Sequence, residues 1–424
     1  MNEVNITILG GGREVGRAAI LVSNSEKKIL LDYGVIFEED KPLFPLHVRP
    51  KELSAVFLSH AHLDHSGAVP LLYINAKIPL FTTELTAELS ELLIRDFLKI
   101  SGYYVPFEHN ELSQMLSNLN CIRYGEDLQL DDDYVVSVRD AGHIPGSSYF
   151  IIDVNGLRIL YTGDINPSDT VLLKGADLGK IGDIDVLISE STYISYEHPE
   201  REYCEKTLIE ILEEVLEKGG KVLIPAFSVG RSQEILLVLE KYDIEYPIFI
   251  DGMARGVIEI LVRHPECLRD YRLLERALEK TLIVKDWSDR KKALDMPSII
   301  IAPAGMLKGG PSLYYAKKIA KDPKSAIIMV SFQAPYTPGR HLLETGLLPE
   351  ISGKVKARIE WLDFSSHAGR RQLLETIRKI SPRKSCIFVH GDYRAVKEAL
   401  PELEQEYDFE ILVPRNGETI SVKP

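Results

Sequence analysis

Apolar and polar residues alternate along the first ten residues, Met1 to Gly10, with the period of a half-buried strand. Short β-branched runs bounded by turn residues predict strands at Ile6–Leu9, Lys28–Asp32, Ala55–Ser59, Tyr134–Val138, Tyr149–Val154 and Arg158–Thr162. Asn155-Gly156 between the last two reads as a tight hairpin turn. Residues 1 to 165 are therefore expected to be rich in antiparallel sheet.

The pattern changes after Ile184. Val186–Ser189 reads as a strand, and Arg201–Lys218 as an amphipathic helix stopped by Gly219-Gly220. Continuous apolar runs at Lys221–Ile224, Pro247–Ile250, Ser298–Ile301 and Ala326–Val330 alternate with helical stretches. Such runs suit a mostly parallel sheet covered on both faces. A strand near Lys354–Trp361, a helix near Gln372–Ile380, a strand at Ser385–Val389 and a short tail follow. The expected architecture is α/β throughout. A first domain, residues 1–197, is interrupted by an α/β insertion, 198–353, and resumes over 354–424.

Composition narrows the class. The chain has 424 residues, room for two or three domains, and 45% hydrophobic residues. No apolar run reaches the roughly 20 residues of a membrane helix. The N-terminus lacks the basic segment and cleavage site of a signal peptide, so the expected compartment is the cytoplasm. Cys121, Cys204, Cys267 and Cys386 are far apart, which argues against a cysteine zinc site and for buried reduced thiols. With 50 Lys and Arg against 63 Asp and Glu, the net charge is −13. Broad non-specific nucleic-acid binding is disfavoured; a local basic groove or bound metal ions would still serve a nucleic-acid substrate.

The candidate chemistry is concentrated in Ser59-His60-Ala61-His62-Leu63-Asp64-His65. Four ligand-type residues lie within six positions, just after a strand. A short loop can turn His60 and His62 to one metal ion and Asp64 and His65 to another; imidazole and carboxylate donors suit zinc. His143, in Gly142-His143-Ile144-Pro145-Gly146, can complete a three-histidine set. Asp164, in Thr162-Gly163-Asp164, can bridge the ions, and His390, in Val389-His390-Gly391-Asp392, can join Asp64 and His65. Each follows a predicted strand beside a glycine, where α/β proteins collect their active sites. Asp32, in Leu31-Asp32-Tyr33-Gly34, either orients a ligand from behind or caps a local turn. Gly10-Gly11-Gly12-Arg13-Glu14-Val15-Gly16 lacks dinucleotide-binding spacing and reads as a tight loop beside the metal site.

Asp32, the His60–His65 block, His143 and Asp164 resemble, in order, the four signature motifs of the metallo-β-lactamase superfamily. Glu190 in Ser189-Glu190-Ser191-Thr192, His367 in Phe364-Ser365-Ser366-His367, and His390 resemble the further motifs of its β-CASP branch of ribonucleases. Ile224-Pro225-Ala226-Phe227-Ser228-Val229-Gly230-Arg231 and Ala302-Pro303-Ala304-Gly305-Met306 are similar to that branch's inserted domain. Within the branch, the likeness is to archaeal relatives of the endonuclease subunit of the cleavage and polyadenylation specificity factor, with RNase J a cousin. Gln333-Ala334-Pro335-Tyr336-Thr337-Pro338-Gly339-Arg340 departs from the pattern with two prolines.

The resemblance implies an αββα metallo-β-lactamase sandwich with an inserted β-CASP domain. It implies two Zn2+ per chain, with Mn2+ an alternative, and phosphodiester hydrolysis of RNA leaving 5′-phosphate and 3′-hydroxyl ends. A histidine at the position of His390 goes with RNA in this family. By the same resemblance His367, positioned by Glu190, aids the leaving oxygen, and Asp32 and Asp64 count with them as catalytic. Ser331, Arg231 and Arg340 are candidate RNA contacts. The expected partners, by the same resemblance, are RNA, a second copy of the chain (a homodimer) and a larger RNA-processing complex. Endonuclease is the leading expectation; a 5′-to-3′ exoribonuclease, a small-molecule metallo-hydrolase and a non-catalytic scaffold subunit are the alternatives.

Overall fold

The computed structural model describes residues 3–38, 41–130, 134–179, 181–349 and 351–424. Met1 and Asn2, the start of the alternating N-terminal run, lie outside them. The chain divides into two compact units: Met1–Asp169, Gly175–Glu197 and His367–Pro424 form one, Thr170–Lys174 and His198–Ser366 the other.

The first unit is built on two seven-stranded sheets. One runs Thr419–Val422, Val4–Gly10, Ala19–Ser23, Lys28–Leu31, Ala55–Phe57, Leu80–Thr82 and Leu119–Cys121 in spatial order. The other runs Glu410–Leu412, Ser385–Val389, Val186–Glu190, Leu157–Tyr161, Ser148–Val154, Tyr134–Asp140 and Asp127–Gln129. Side chains alternate across each strand, and both faces are buried. Ile6, Ile8, Ile29 and Leu31 from the first sheet share a core with Phe150, Ile152, Ile159, Ile188 and Ile387 from the second. The opposite faces pack on helices. Leu30, Val56 and Leu80 meet Ile94, Phe97 and Met115 of the helices Glu84–Ser101 and His109–Ser117. Leu160, Leu187 and Phe388 meet Leu373, Ile377 and Leu403 of the helices Arg370–Ile380 and Tyr393–Glu406. The result is the expected αββα sandwich.

The hairpin at Asn155-Gly156 forms, with φ of 51° and 81° at its two residues and Val154 opposite Leu157. Antiparallel pairing is only part of the picture, however. Ala55–Phe57, Leu80–Thr82 and Leu119–Cys121 join the first sheet in parallel, and Val186–Glu190 and Ser385–Val389 join the second in parallel. Of these strands, Leu80–Thr82 and Leu119–Cys121 were not marked by the sequence, because three residues are too few to show a period. The expected short tail also carries more structure. It contains the helix Tyr393–Glu406 and a final strand, Thr419–Val422, paired antiparallel with Val4–Thr7.

The second unit holds a six-stranded, wholly parallel sheet: Thr281–Ile283, Ile248–Ile250, Ile299–Ala302, Val222–Pro225, Ala326–Met329 and Arg358–Trp361. Arg358–Trp361 differs from expectation. It pairs in parallel with Ala326–Met329, so the chain leaves this unit at Ser366 rather than at residue 353. The strand Arg358–Trp361 forms an edge of that sheet, with Ala326–Met329 as its neighbour. All four cysteines are free, but only Cys204 and Cys386 are buried; Cys121 is exposed and Cys267 half-buried. Among the described residues, no helix is long and apolar enough to cross a membrane.

Candidate metal centre

The ligand-type residues singled out from the sequence follow or close strands of the first unit, with Asp64 and His65 in the short helix Leu63–Ser66. Asp32 follows Lys28–Leu31, and His60 to His65 follow Ala55–Phe57. His143 follows Tyr134–Asp140, Asp164 follows Leu157–Tyr161, Glu190 closes Val186–Glu190, and His390 follows Ser385–Val389. Loops just past strand ends are free to turn their side chains together, and these do.

Two loops are clamped by backbone hydrogen bonds. Tyr33 and Val35 donate to the carbonyls of His65 and Leu63, and Ala18 donates to that of Asp64. Gly34 permits the approach, because a Cβ there would lie 1.7 Å from the Asp64 carbonyl oxygen. Two side chains are held on left-handed backbone, Asp32 at φ 58° and His390 at φ 50°. Such conformations persist in non-glycine residues only where surrounding bonds hold them. At His390 the backbone N–H donates to the Gly11 carbonyl at 2.7 Å, so the glycine-rich loop does lie beside the centre.

Among the described residues, four groups of donors converge to within 4.8 Å: His60, His62, His143 and Asp164; His60, Asp64 and His65; His65, Asp164 and His390; Asp164, Glu190 and His367. Asp164 is the hub. Its Oδ2 is 3.5 Å from His60 Nε2 and 3.6 Å from His143 Nε2, and its Oδ1 is 3.3 Å from His65 Nε2 and 3.5 Å from His390 Nδ1. Asp64 Oδ2 lies 3.3 Å from His390 Nε2, and His62 Nδ1 lies 3.2 Å from His143 Nε2.

The protonation pattern follows from the bonds behind the ligands. His65 donates its Nδ1 proton to Asp32 Oδ2 at 2.7 Å, so Nε2 is the nitrogen left to face Asp164 and a metal ion. Ser59 Oγ gives its proton to the same carboxylate and so accepts from His60 Nδ1 at 3.1 Å, which frees His60 Nε2 likewise. Tyr161 and the Ser59 backbone N–H complete the Asp32 cage, each at 2.7 Å. Neither Ser59 nor Tyr161 was singled out from the sequence. Tyr161 stands three residues before Asp164 at a strand end, which is the one signal that could have found it.

His60 Nε2, His62 Nε2, His65 Nε2 and Asp164 Oδ1 are buried without a hydrogen-bond partner. Four orphaned polar atoms facing one another would be costly, and a cation removes the cost. The donors therefore fit a metal ion. Burial, aided by neighbouring imidazoles, pushes the pKa of His60 well down and that of His62 down to about 4, which keeps both neutral as ligands must be. Burial opposes ionisation of Asp64 and Asp164, but the surrounding histidines outweigh it and hold both carboxyls below their usual range.

His367 lies beside this cluster. Its Nδ1 is 3.0 Å from Glu190 Oε2 and 3.9 Å from Asp164 Oδ2. Burial would lower its pKa; the Glu190 and Asp164 carboxylates overcome that and raise it to about 9. Glu190 is fully buried and also accepts from the Ile165 backbone N–H at 2.7 Å, so it is held from two sides. The Tyr193 ring packs 5.8 Å from that of His367.

The three substrate-contact candidates lie in the second unit and differ in state. Ser331 is buried with an unpartnered Oγ, and its backbone carbonyl accepts from Trp361 Nε1. Arg231 is buried at the start of the helix Arg231–Lys241, with Nη2 3.4 Å from Ser366 Oγ. Arg340 is committed to Glu344, one helical turn on, at 2.5 Å. His198, unassigned from the sequence, pairs with Asp363 Oδ2 at 2.7 Å.

A buried cluster of imidazoles around a shared carboxylate, at the strand ends of a double-sheet sandwich, defines a metallo-hydrolase centre. Residues 20–194 match the metallo-beta-lactamase superfamily domain, residues 232–342 the Beta-Casp domain, and residues 352–414 the Zn-dependent metallo-hydrolase RNA specificity domain. RNase aCSPSF2 of Saccharolobus solfataricus is 45% identical over 98% of this chain and 85% of its own. Probable RNase MJ4 of Methanocaldococcus jannaschii is 38% identical over 99% and 100%, and transcription termination factor FttA of Pyrococcus horikoshii 35% identical over 99% and 71%. A crystal structure of an Enterococcus faecalis protein of unknown function shares the fold, with a TM-score of 0.65 over 99% of this chain and 100% of that one, at 18% identity. The chain belongs to the metallo-β-lactamase superfamily, in its β-CASP ribonuclease branch, and is a metal-dependent hydrolase.

Proposed function

We propose that the chain is an endoribonuclease that hydrolyses RNA phosphodiesters with two zinc ions, leaving 5′-phosphate and 3′-hydroxyl ends. The observation that carries this reading is the set of unpartnered buried donor atoms around Asp164. His60, His62, His143 and Asp164 would hold one ion; Asp64, His65, Asp164 and His390 would hold the other. Manganese suits the same donors. RNA as substrate is supported by the relatives, two of which are named as ribonucleases and one as a termination factor. Free cysteines suit the cytoplasm.

The ions supply positive charge for an already anionic phosphate and lower the pKa of water. The chain does the rest. Asp32 fixes the ring of His65, and Ser59 that of His60, so that both Nε2 atoms face the same space. His367 carries the proton that the departing 3′-oxygen needs, and Glu190 holds it there and keeps it charged. Ser331 and Arg231 are offered as phosphate contacts in the second unit.

The test is one RNA labelled at either end and incubated with zinc-loaded protein. Internal fragments from both labels support endonucleolytic cleavage. Mononucleotides released from the 5′ end assign a 5′-to-3′ exonuclease instead. Intact RNA overturns the ribonuclease reading and promotes a small-molecule hydrolase.

A further inference from the structure

In the second unit, the helices Trp287–Asp295 and Gly310–Ile319 meet through side chains that take no part in the metal centre. The Trp287 ring meets the Tyr314 ring edge to face, with centroids 5.2 Å apart. Arg290 lies over both rings, 4.7 Å from the Trp287 centroid and 5.7 Å from that of Tyr314, and Lys318 lies 5.8 Å over Tyr314. Trp287 is 66% exposed. Lys291, one helical turn on from Trp287, and Lys318 are exposed.

The cluster is held from beneath. Arg290 makes a two-pronged ion pair with buried Asp251, Nε at 2.7 Å and Nη2 at 3.1 Å, and Tyr315 donates to the same carboxylate at 2.9 Å. The guanidinium cannot swing away, so the indole is backed by a fixed cation. An indole left exposed forgoes the stabilisation that burial would bring, and here it sits in a fixed cluster of rings and cations. The nearby acids are turned to local backbone: Asp286 caps Ser288 and Asp289, and Asp289 accepts from Lys285 N–H. Arg290 is matched by Asp251; the five exposed lysines Lys285, Lys291, Lys292, Lys317 and Lys318 outnumber Asp286, Asp289 and Asp295, which leaves a modest positive excess around the exposed aromatic face.

We infer that Trp287 and Tyr314, with Lys291 and Lys318, form a stacking platform for single-stranded RNA, separate from the residues proposed to hold metal. The inference rests on RNA being the substrate. An aromatic face accepts any base, and the lysines meet the phosphates on either side, which gives affinity without sequence preference. A protein partner would leave the same cations needing acidic mates, which RNA provides at every residue.

The chain has two tryptophans, so Trp361→Phe leaves Trp287 as the sole indole reporter. In full-length, metal-loaded protein that also carries His367→Ala to slow cleavage, titration with an unstructured oligouridylate is expected to quench Trp287 fluorescence. In binding measured by anisotropy of the labelled RNA, Trp287→Ala weakens affinity about 5- to 10-fold, the cost of unstacking one base. Trp287→Phe restores most of it. Replacing Lys291 and Lys318 by Gln flattens the salt dependence by about 0.7 in log–log slope for each phosphate no longer neutralised. An indole signal unmoved at saturating RNA, with Trp287→Ala binding as before, overturns the platform. If the wild-type chain still cleaves RNA, the ribonuclease reading survives and the surface falls to a protein partner. If RNA neither binds nor is cut, both fall together.

Discussion

The Asp32 carboxylate sits 2.7 Å behind Nδ1 of His65, on the side of the ring away from Asp164. One buried carboxylate thereby decides which nitrogen of a histidine faces the metal centre. Asp32→Asn keeps the shape but can present an N–H where His65 needs an acceptor. Zinc affinity is expected to fall about 10- to 100-fold, in the range seen for partners of ligating histidines. Competition with a chromophoric chelator measures it. Unchanged affinity would reduce Asp32 to a turn cap.

His367 and Glu190 divide the labour differently. His367→Ala is expected to cut the rate of RNA hydrolysis by about 10²- to 10⁴-fold while metal content stays at the wild-type level. Glu190→Gln, which leaves the ring without its anionic anchor, lowers the rate by less. Elemental analysis alongside single-turnover cleavage separates the two effects. Equal loss of metal and rate would make His367 a ligand.

Gly34→Ala is a probe of the loop clamp. Its Cβ would collide with the Asp64 carbonyl at 1.7 Å, so the Asp64 and His65 loop must shift. Overpacking of this kind costs about 1–3 kcal/mol, occasionally more. Both the unfolding midpoint and zinc affinity should drop, as read by urea denaturation and the chelator assay.

The second unit carries its own pH signature. Burial opposes ionisation of Asp363, but the His198 hydrogen bond and charge outweigh it and hold its carboxyl below the ordinary 3.8. The folded chain therefore keeps this group charged where the unfolded chain protonates it. The stabilisation is complete above 3.8 and is lost as the pH falls through the lower folded value. Asp363→Asn should flatten that part of the acid limb of stability in urea titrations.

Most of the candidate metal centre was legible because its ligand-type side chains are rare residue types clustered near strand ends. His60, His62, Asp64 and His65 announce themselves within six positions, and His143, Asp164 and His390 repeat the strand–glycine setting. The residues behind them were not legible. Ser59 and Tyr161 are ordinary in type, and only folding brings Tyr161 to Asp32, 129 residues away. Fold class followed from long apolar runs such as Ala326–Met329, whereas three-residue strands such as Leu80–Thr82 carry no period to read. Arg358–Trp361 was assigned to the wrong side of the boundary because its partner, Ala326–Met329, is fixed by tertiary pairing rather than by its own pattern.

The central claim is that the centre around Asp164 cuts RNA with metal. Protein stripped by chelator, then reloaded with zinc, should be assayed on one labelled RNA and the matched DNA, with His62→Ala as control. The account predicts RNA cleavage that disappears on stripping, returns with zinc, and is absent in His62→Ala. Cleavage that persists equally in stripped protein and in the variant would contradict it.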